Sequence, residues 1–172
     1  MKKSGVFPIF SYYFTKLKEF FKYQFTFCTI FDIILSKKSE KGEIMQACTI
    51  TIATTVDGKC TEIIRNGEMA LNATCVKLRY FDEQATVFVV FENNEVSIDR
   101  QGDYSMRLLM RKGEVCDGVL GIGGSTGAVQ TQTRRIAYSQ TKNSFTLALH
   151  YDLIIGGEIQ KMRIRLSARG KE

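Results

Sequence analysis

From Gln46 onward the hydrophobic and polar positions alternate with a period of two. Cys48, Ile50, Ile52, Thr54 and Val56 share one face and Thr49, Thr51, Ala53 and Thr55 the other, as in a half-buried strand, and Asp57-Gly58 supplies a hairpin turn. Cys60–Arg65 predicts a second strand and Asn66-Gly67 a second turn, with Glu68–Asn72 and Thr74–Phe81 as the third and fourth strands. Ala85–Glu92 is apolar on both faces, as a well-covered strand is, and Asn93-Asn94 turns into Glu95–Arg100. Past Gln101-Gly102-Asp103, the residues Tyr104, Met106, Leu108 and Met110 oppose Arg107 and Arg111. Residues 113–127 are glycine-rich with no long periodic run and predict a loop or two short bulged strands. Val129–Tyr138 and Ser144–Ile155 read as strands, the latter with Phe145, Leu147, Leu149, Tyr151 and Leu153 on one face. After Gly156-Gly157, Met162, Ile164 and Leu166 face one way and Arg163, Arg165 and Arg169 the other.

Eight to ten strands joined by short turns, with no convincing helix, predict an all-β sandwich or barrel. Meander connectivity favours a single antiparallel, mostly up-and-down barrel, because neighbours pair in chain order and closure removes exposed edges. A barrel of about eight strands is filled by side chains or holds one small ligand.

Residues 1–44 are different in kind. They hold 8 of the 12 Phe and 3 of the 7 Tyr, with 8 Lys against 4 acids. Phe7, Phe10, Phe14, Leu17, Phe21, Phe25 and Cys28 recur at helical spacing, which allows a basic amphipathic helix on an anionic membrane surface. The uncharged runs Ser4–Thr15 and Tyr23–Phe31 are too short to span a bilayer, which needs about 20 residues, and a signal-peptide cleavage pattern is missing. Lys41-Gly42-Glu43-Ile44-Met45 is what a purine-rich ribosome-binding site before a start codon yields when translated. The expectation is therefore that Met45 is the native start, with residues 45–172 the barrel domain and 1–44 an extension, either a translated upstream region or an amphipathic or disordered leader.

The division changes the meaning of the charge. The whole chain of 172 residues carries +6, but residues 45–172 have 16 basic against 14 acidic groups, so the average charge of the strand region argues against a nucleic-acid partner. Five cysteines without a Cys-x-x-Cys pair argue against a disulfide framework or structural zinc and fit buried thiols in a reducing cytoplasm. No cofactor is indicated, and no membrane partner for residues 45–172.

Three constellations bear on chemistry. His150 and Asp152 share a face, but it is the face opposite Phe145–Leu153, and a Gly-x-Ser-x-Gly elbow is missing, so a surface histidine is expected rather than a triad. Gly121–Gly127 resembles a phosphate-cradling loop, yet a strand pattern follows it where a helix is required. Arg163 and Arg165 oppose the apolar face and read as solvated, whereas Arg100 shares parity with Val96 and Ile98, and Arg134 with Ile136 and Tyr138. A charge on a core face needs a carboxylate partner at the rim or an anionic ligand. Arg100, Arg134 and Tyr138 are accordingly the candidate ligand-binding residues, expected at the barrel mouth.

The chain resembles the YwiB-like proteins over most of residues 47–170. The resemblance rests on Glu95-Val96-Ser97-Ile98-Asp99-Arg100-Gln101-Gly102, on Gly127-Ala128-Val129 leading to Thr133, and on Tyr151-Asp152-Leu153 with Gly156. It departs in Gly118–Ser125, which is richer in glycine, and lacks an aromatic before Gly127. The resemblance implies a bacterial protein with a calycin-like, lipocalin-like barrel and supplies no catalytic residues. With no nucleophile–base pair, the expected function is a non-enzymatic barrel that binds a small anionic or apolar ligand; the alternative is a protein–protein interaction module using the outer surface.

Overall fold

A computed structural model describes residues 44–171. The leader and helix readings rest on residues 1–43 and fall outside them. The ten strands are β1 (Gln46–Val56), β2 (Lys59–Leu71), β3 (Cys75–Asp82), β4 (Ala85–Glu92), β5 (Glu95–Gln101), β6 (Tyr104–Arg111), β7 (Val115–Ile122), β8 (Ser125–Gln140), β9 (Ser144–Ile155) and β10 (Glu158–Gly170). Each pairs antiparallel with its neighbour in the chain, and β1 pairs with both β2 and β10, so the sheet closes into an up-and-down barrel.

Local chemistry explains the hairpins. Asp57-Gly58, Asn93-Asn94, Gly123-Gly124 and Gly156-Gly157 each place both residues at positive φ, from 47° to 85°, which is the requirement of a two-residue turn that matches strand twist. Asn66-Gly67 behaves otherwise. It lies inside β2, where Gly67 pairs with both Cys48 and Tyr80, and the two strands expected on either side of it are one. A glycine is needed there for close approach: a Cβ would collide with the carbonyl of Arg79 and sit 2.7 Å from Ile50 Cδ1. Residues 113–127 likewise hold a complete strand, β7, that pairs with β8 through to the Gly123-Gly124 turn.

Alternate residues fill the interior. Ile50, Met69, Leu78, Leu108, Met110, Phe145, Leu147 and Leu149 are among its fully buried side chains, each worth about 1.5–3 kcal/mol of burial. The two ends of the barrel differ. The end carrying the turns Asp57-Gly58, Gly102-Asp103, Gly123-Gly124 and Gly156-Gly157 is called the top here. The bottom is crossed by β8, whose last residues run beyond the start of β7 at Val115–Gln132. Gln140 Nε2 donates to the carbonyl of Asn72 at 3.2 Å, tying the end of β8 to the β2–β3 turn. Beneath it Tyr138 packs on Phe91, with ring centroids 4.4 Å apart, and Phe91 on Phe145 at 5.7 Å. This aromatic group lies at the bottom, with Phe91 and Phe145 buried and Tyr138 exposed.

Candidate functional site: a charged, tyrosine-lined barrel top

The ladders carry the inward face around the barrel, since directly paired residues share a face. Val87 pairs with Tyr80 and with Arg100, Arg100 with Met106, and two residues earlier on the same face of β6 stands Tyr104. Tyr80 pairs with Gly67, so Arg65 and Asp82 continue the inward face one step toward the top. Tyr151 faces inward from β9, opposite Thr133 and Met162. The alternation that packs a core lower in the barrel thus presents two arginines, an aspartate and three tyrosines at its top.

Each arginine is held. Arg65 Nε and Nη2 both donate to Asp82 Oδ1, at 2.9 and 2.7 Å. Arg100 Nη1 donates to the Tyr104 carbonyl at 2.7 Å and Nη2 to Asp103 Oδ1 at 2.8 Å, while its guanidinium carbon lies 3.5 Å from the centre of the Tyr104 ring. The two halves of the Arg100–Asp103 pair are unequal: the Arg100 side chain is 12% exposed and that of Asp103, on the β5–β6 turn, 63%. Desolvation works to raise the Asp103 carboxyl, but the hydrogen bond and charge of Arg100 outweigh it and hold the group below its ordinary value.

The phenols are donors and not bases. Burial, then the Asp82 carboxylate and Tyr104, push Tyr80 up to about 12. Burial raises Tyr104 against the opposing charge of Arg100, and burial raises Tyr151, with a further contribution from Tyr104. All three therefore remain protonated near neutrality. The Thr133 hydroxyl, 1% exposed and opposite Tyr151, is buried without a hydrogen-bond partner. Elsewhere inside, burial pushes the Cys48 thiol up to about 11, which keeps it protonated and unreactive.

The structure does not bring the three sequence-derived candidates together. Arg100 is at the top, and its partner is a rim carboxylate, Asp103. Arg134 is on the outer surface, 63% exposed, donating to the buried Asp152 at 2.6 Å. A bulge between Thr133 and Arg135 inserts one residue and breaks the parity that linked Arg134 to Ile136 and Tyr138. Tyr138 does lie on the inner side, but at the bottom, because β8 runs downward while β5 runs upward to Arg100. Alternation tells the face and not the end. Arg65, Asp82, Asp103, Tyr80, Tyr104 and Tyr151 complete the top; continuing strand parity through Gly67, from Met69 to Arg65, is the signal that finds Arg65. His150 stands on the outer face, paired with Arg135 and Arg163, and burial followed by those two charges lowers its pKa.

Fold and site together define a small ten-stranded up-and-down barrel with polar and charged side chains concentrated inside one end. The chain belongs to the family described as Domain of unknown function (DUF1934), whose model matches residues 45–166. Its structure is similar to the crystal structure of ywiB protein from Bacillus subtilis, with a TM-score of 0.67 and 17% identity, covering 74% of this chain and 94% of that one. At that identity the likeness is one of fold. A search of curated proteins finds no match.

Proposed function

We propose that this is a non-enzymatic binding protein that takes a small ligand with an apolar body and an anionic end into the top of its barrel. The observation that supports this reading is the asymmetry of the interior: guanidinium and phenol groups face inward at the top, and an aromatic group stands at the bottom. An inward-facing arginine whose counter-ion sits on an exposed turn is suited to exchange. The ligand's anionic group replaces Asp103 on Arg100, its body lies against the apolar wall, and protonated Tyr80 and Tyr104 donate to it. The buried, unpartnered Thr133 hydroxyl is a further donor for a polar atom that reaches the interior. The phenols and the interior thiol are protonated and the inward Asp82 carboxylate is tied to Arg65, which is why binding is preferred to catalysis. The buried Cys48 and Cys116 thiols fit a reducing cytoplasm.

The test uses 8-anilinonaphthalene-1-sulfonate, an apolar body with one anionic group, in fluorescence titrations of the full chain. Saturable binding that Arg100→Gln weakens about tenfold, the cost of one charge-assisted hydrogen bond, is expected. An affinity unchanged in Arg100→Gln, with the variant folded by circular dichroism, would refute the reading.

A further inference from the structure

Arginines on this barrel are of two kinds. Arg65, Arg79, Arg100, Arg107, Arg111 and Arg134 each have a carboxylate partner within 4 Å. Among the described residues, Arg135, Arg163, Arg165 and Arg169 have none, and all four lie on one continuous outer face. Arg135 and Arg163 flank His150 on adjacent strands, and Arg163, Arg165 and Arg169 follow one another on the outer side of β10. Two strand spacings separate Arg135 from Arg163 by about 10 Å, and six residues separate Arg163 from Arg169 by about 20 Å. The near-balance of residues 45–172 therefore conceals a segregation: carboxylates pair with the arginines of β2–β6 and with Arg134, and leave Arg135, Arg163, Arg165 and Arg169 unneutralised on this face.

We propose that the outer face of β8, β9, β10 and β1 binds the phosphate backbone of a nucleic-acid duplex. The residues between the arginines decide among polyanions. Outward positions in this stretch are small or hydroxylated, among them Thr49, Thr51, Thr146 and Ser167. Arginine together with serine and threonine hydroxyls is the donor set that contacts phosphate oxygens. A protein partner calls for buried aromatic or aliphatic anchors, and an anionic bilayer for apolar or aromatic groups that enter the interface; the aliphatic pair of this face, Ile154 and Ile159, lies at the top end beyond Lys161, and the positions beside Arg163, Arg165 and Arg169 carry neither. They also carry no aromatic on which unpaired bases would stack, which favours a duplex over a single strand. The 20 Å row matches the rise of about six base steps.

The charged groups around His150 are Arg135 and Arg163 beside it, Asp152 and its partner Arg134 two residues along, Lys161 opposite Asp152, and Glu62, which pairs with Ala53 next to Arg165. Burial, and then the charges of Arg163 and Arg135, lower the His150 pKa, and a phosphate seated between the two arginines offsets the second of these causes.

Fluorescence anisotropy of the full chain with labelled 20-base-pair RNA and DNA duplexes of arbitrary sequence, from 50 to 200 mM salt, tests this. Binding should weaken with salt, and Arg163→Gln with Arg165→Gln should reduce affinity at least tenfold and lower the log–log salt slope by about 2. The amino-terminal lysines are present in both proteins, so the difference reads the arginine face alone. Arg107→Gln, on the far side of the barrel, should change neither quantity. The His150 proton resonance should titrate at higher pH when duplex is bound. A double variant with unchanged affinity and slope overturns the proposal. So does tighter arginine-dependent binding to phosphatidylserine vesicles or to polyglutamate than to either duplex.

Discussion

Gly67→Ala distinguishes a glycine kept for a turn from one kept for close approach. In a strand without positive φ, alanine ordinarily stabilises by about 0.5–1 kcal/mol, because the unfolded chain loses freedom. Here the new methyl collides with the Arg79 carbonyl and stands 2.7 Å from Ile50 Cδ1 and 3.0 Å from Tyr80 Cβ. Ile50 is fully buried and Arg79 belongs to the paired β3 backbone, so relief requires β2 and β3 to separate where their ladder is only Gly67–Leu71 long. Overpacking of this kind costs about 1–3 kcal/mol and loss of the terminal pair about 1 kcal/mol more, giving a net destabilisation of about 1–3 kcal/mol after the entropic gain is subtracted. Gly58→Ala is the reference: its φ is +85° with nothing within 4 Å, so only backbone strain of about 1–2 kcal/mol applies. Urea unfolding followed by circular dichroism and tyrosine fluorescence measures both, there being no tryptophan. Ile50→Val removes one of the colliding atoms, so the double variant Gly67→Ala/Ile50→Val should be less destabilised than the sum of the two singles. A Gly67→Ala protein as stable as the parent, or strict additivity in the double variant, would show that the two strands do not approach as described.

Alkaline pH gives a second measurement. The raised Tyr80, Tyr104 and Tyr151 phenols favour the folded state in their neutral form, a contribution fully present below their unfolded value near 10 and lost as pH rises through their folded values, about 12 for Tyr80. Two units at Tyr80 correspond to roughly 2–3 kcal/mol, so unfolding should set in above pH 10 and coincide with a cooperative rise in tyrosinate absorbance; independent titration of all tyrosines near 10 in a folded protein would count against it. Arg134→Ala should destabilise by about 1–3 kcal/mol, because it leaves the buried Asp152 carboxylate without its partner, and should leave anilinonaphthalenesulfonate affinity unchanged. Tyr138→Ala should cost about 1 kcal/mol through its stack on Phe91, again without affecting binding at the top. Arg163→Gln should raise the His150 pKa in proton NMR, since Arg163 is one of the two charges that lower it.

The strands and most of their turns were legible because each rests on chemistry within a few residues. Asp57-Gly58, Asn93-Asn94 and Gly156-Gly157 prefer positive φ wherever they occur, and alternation identifies Phe145–Leu153 as a core face without knowledge of any partner. Asn66-Gly67 has the same local preference, yet here its glycine answers to Arg79 and Ile50, residues 12 and 17 positions away in the chain. Local turn chemistry yielded to a tertiary contact. The site was legible by half for a related reason. Parity placed Arg100 on the inner face and His150 on the outer, but Arg134 was misplaced by a bulge that nothing in its own strand announces. The end of the barrel at which a residue falls depends on strand direction, which alternates with every turn. One miscounted turn, at Asn66-Gly67, inverts the directions of the strands from Cys75 to Arg111.

The outer surface shows the same limit in electrostatic form. Net charge is a sum over residues, and it describes a surface only if charges are mixed. On this barrel the pairs Arg79–Glu68, Arg107–Asp99 and Arg111–Glu95 each join neighbouring strands of the β2–β6 wall, so acids and bases cancel there strand by strand. β10 has no such neighbour for Arg163, Arg165 and Arg169: β9 offers His150, Ala148 and Ser144 in register, and β1 offers Thr55, Ala53 and Thr49. Three cations spaced along one strand face histidine, alanine, serine and threonine on both sides, and a fourth, Arg135, stands across His150. Their segregation onto one wall sets them apart, by the thickness of the sheet, from the inward-facing Arg65 and Arg100, which are paired with Asp82 and Asp103.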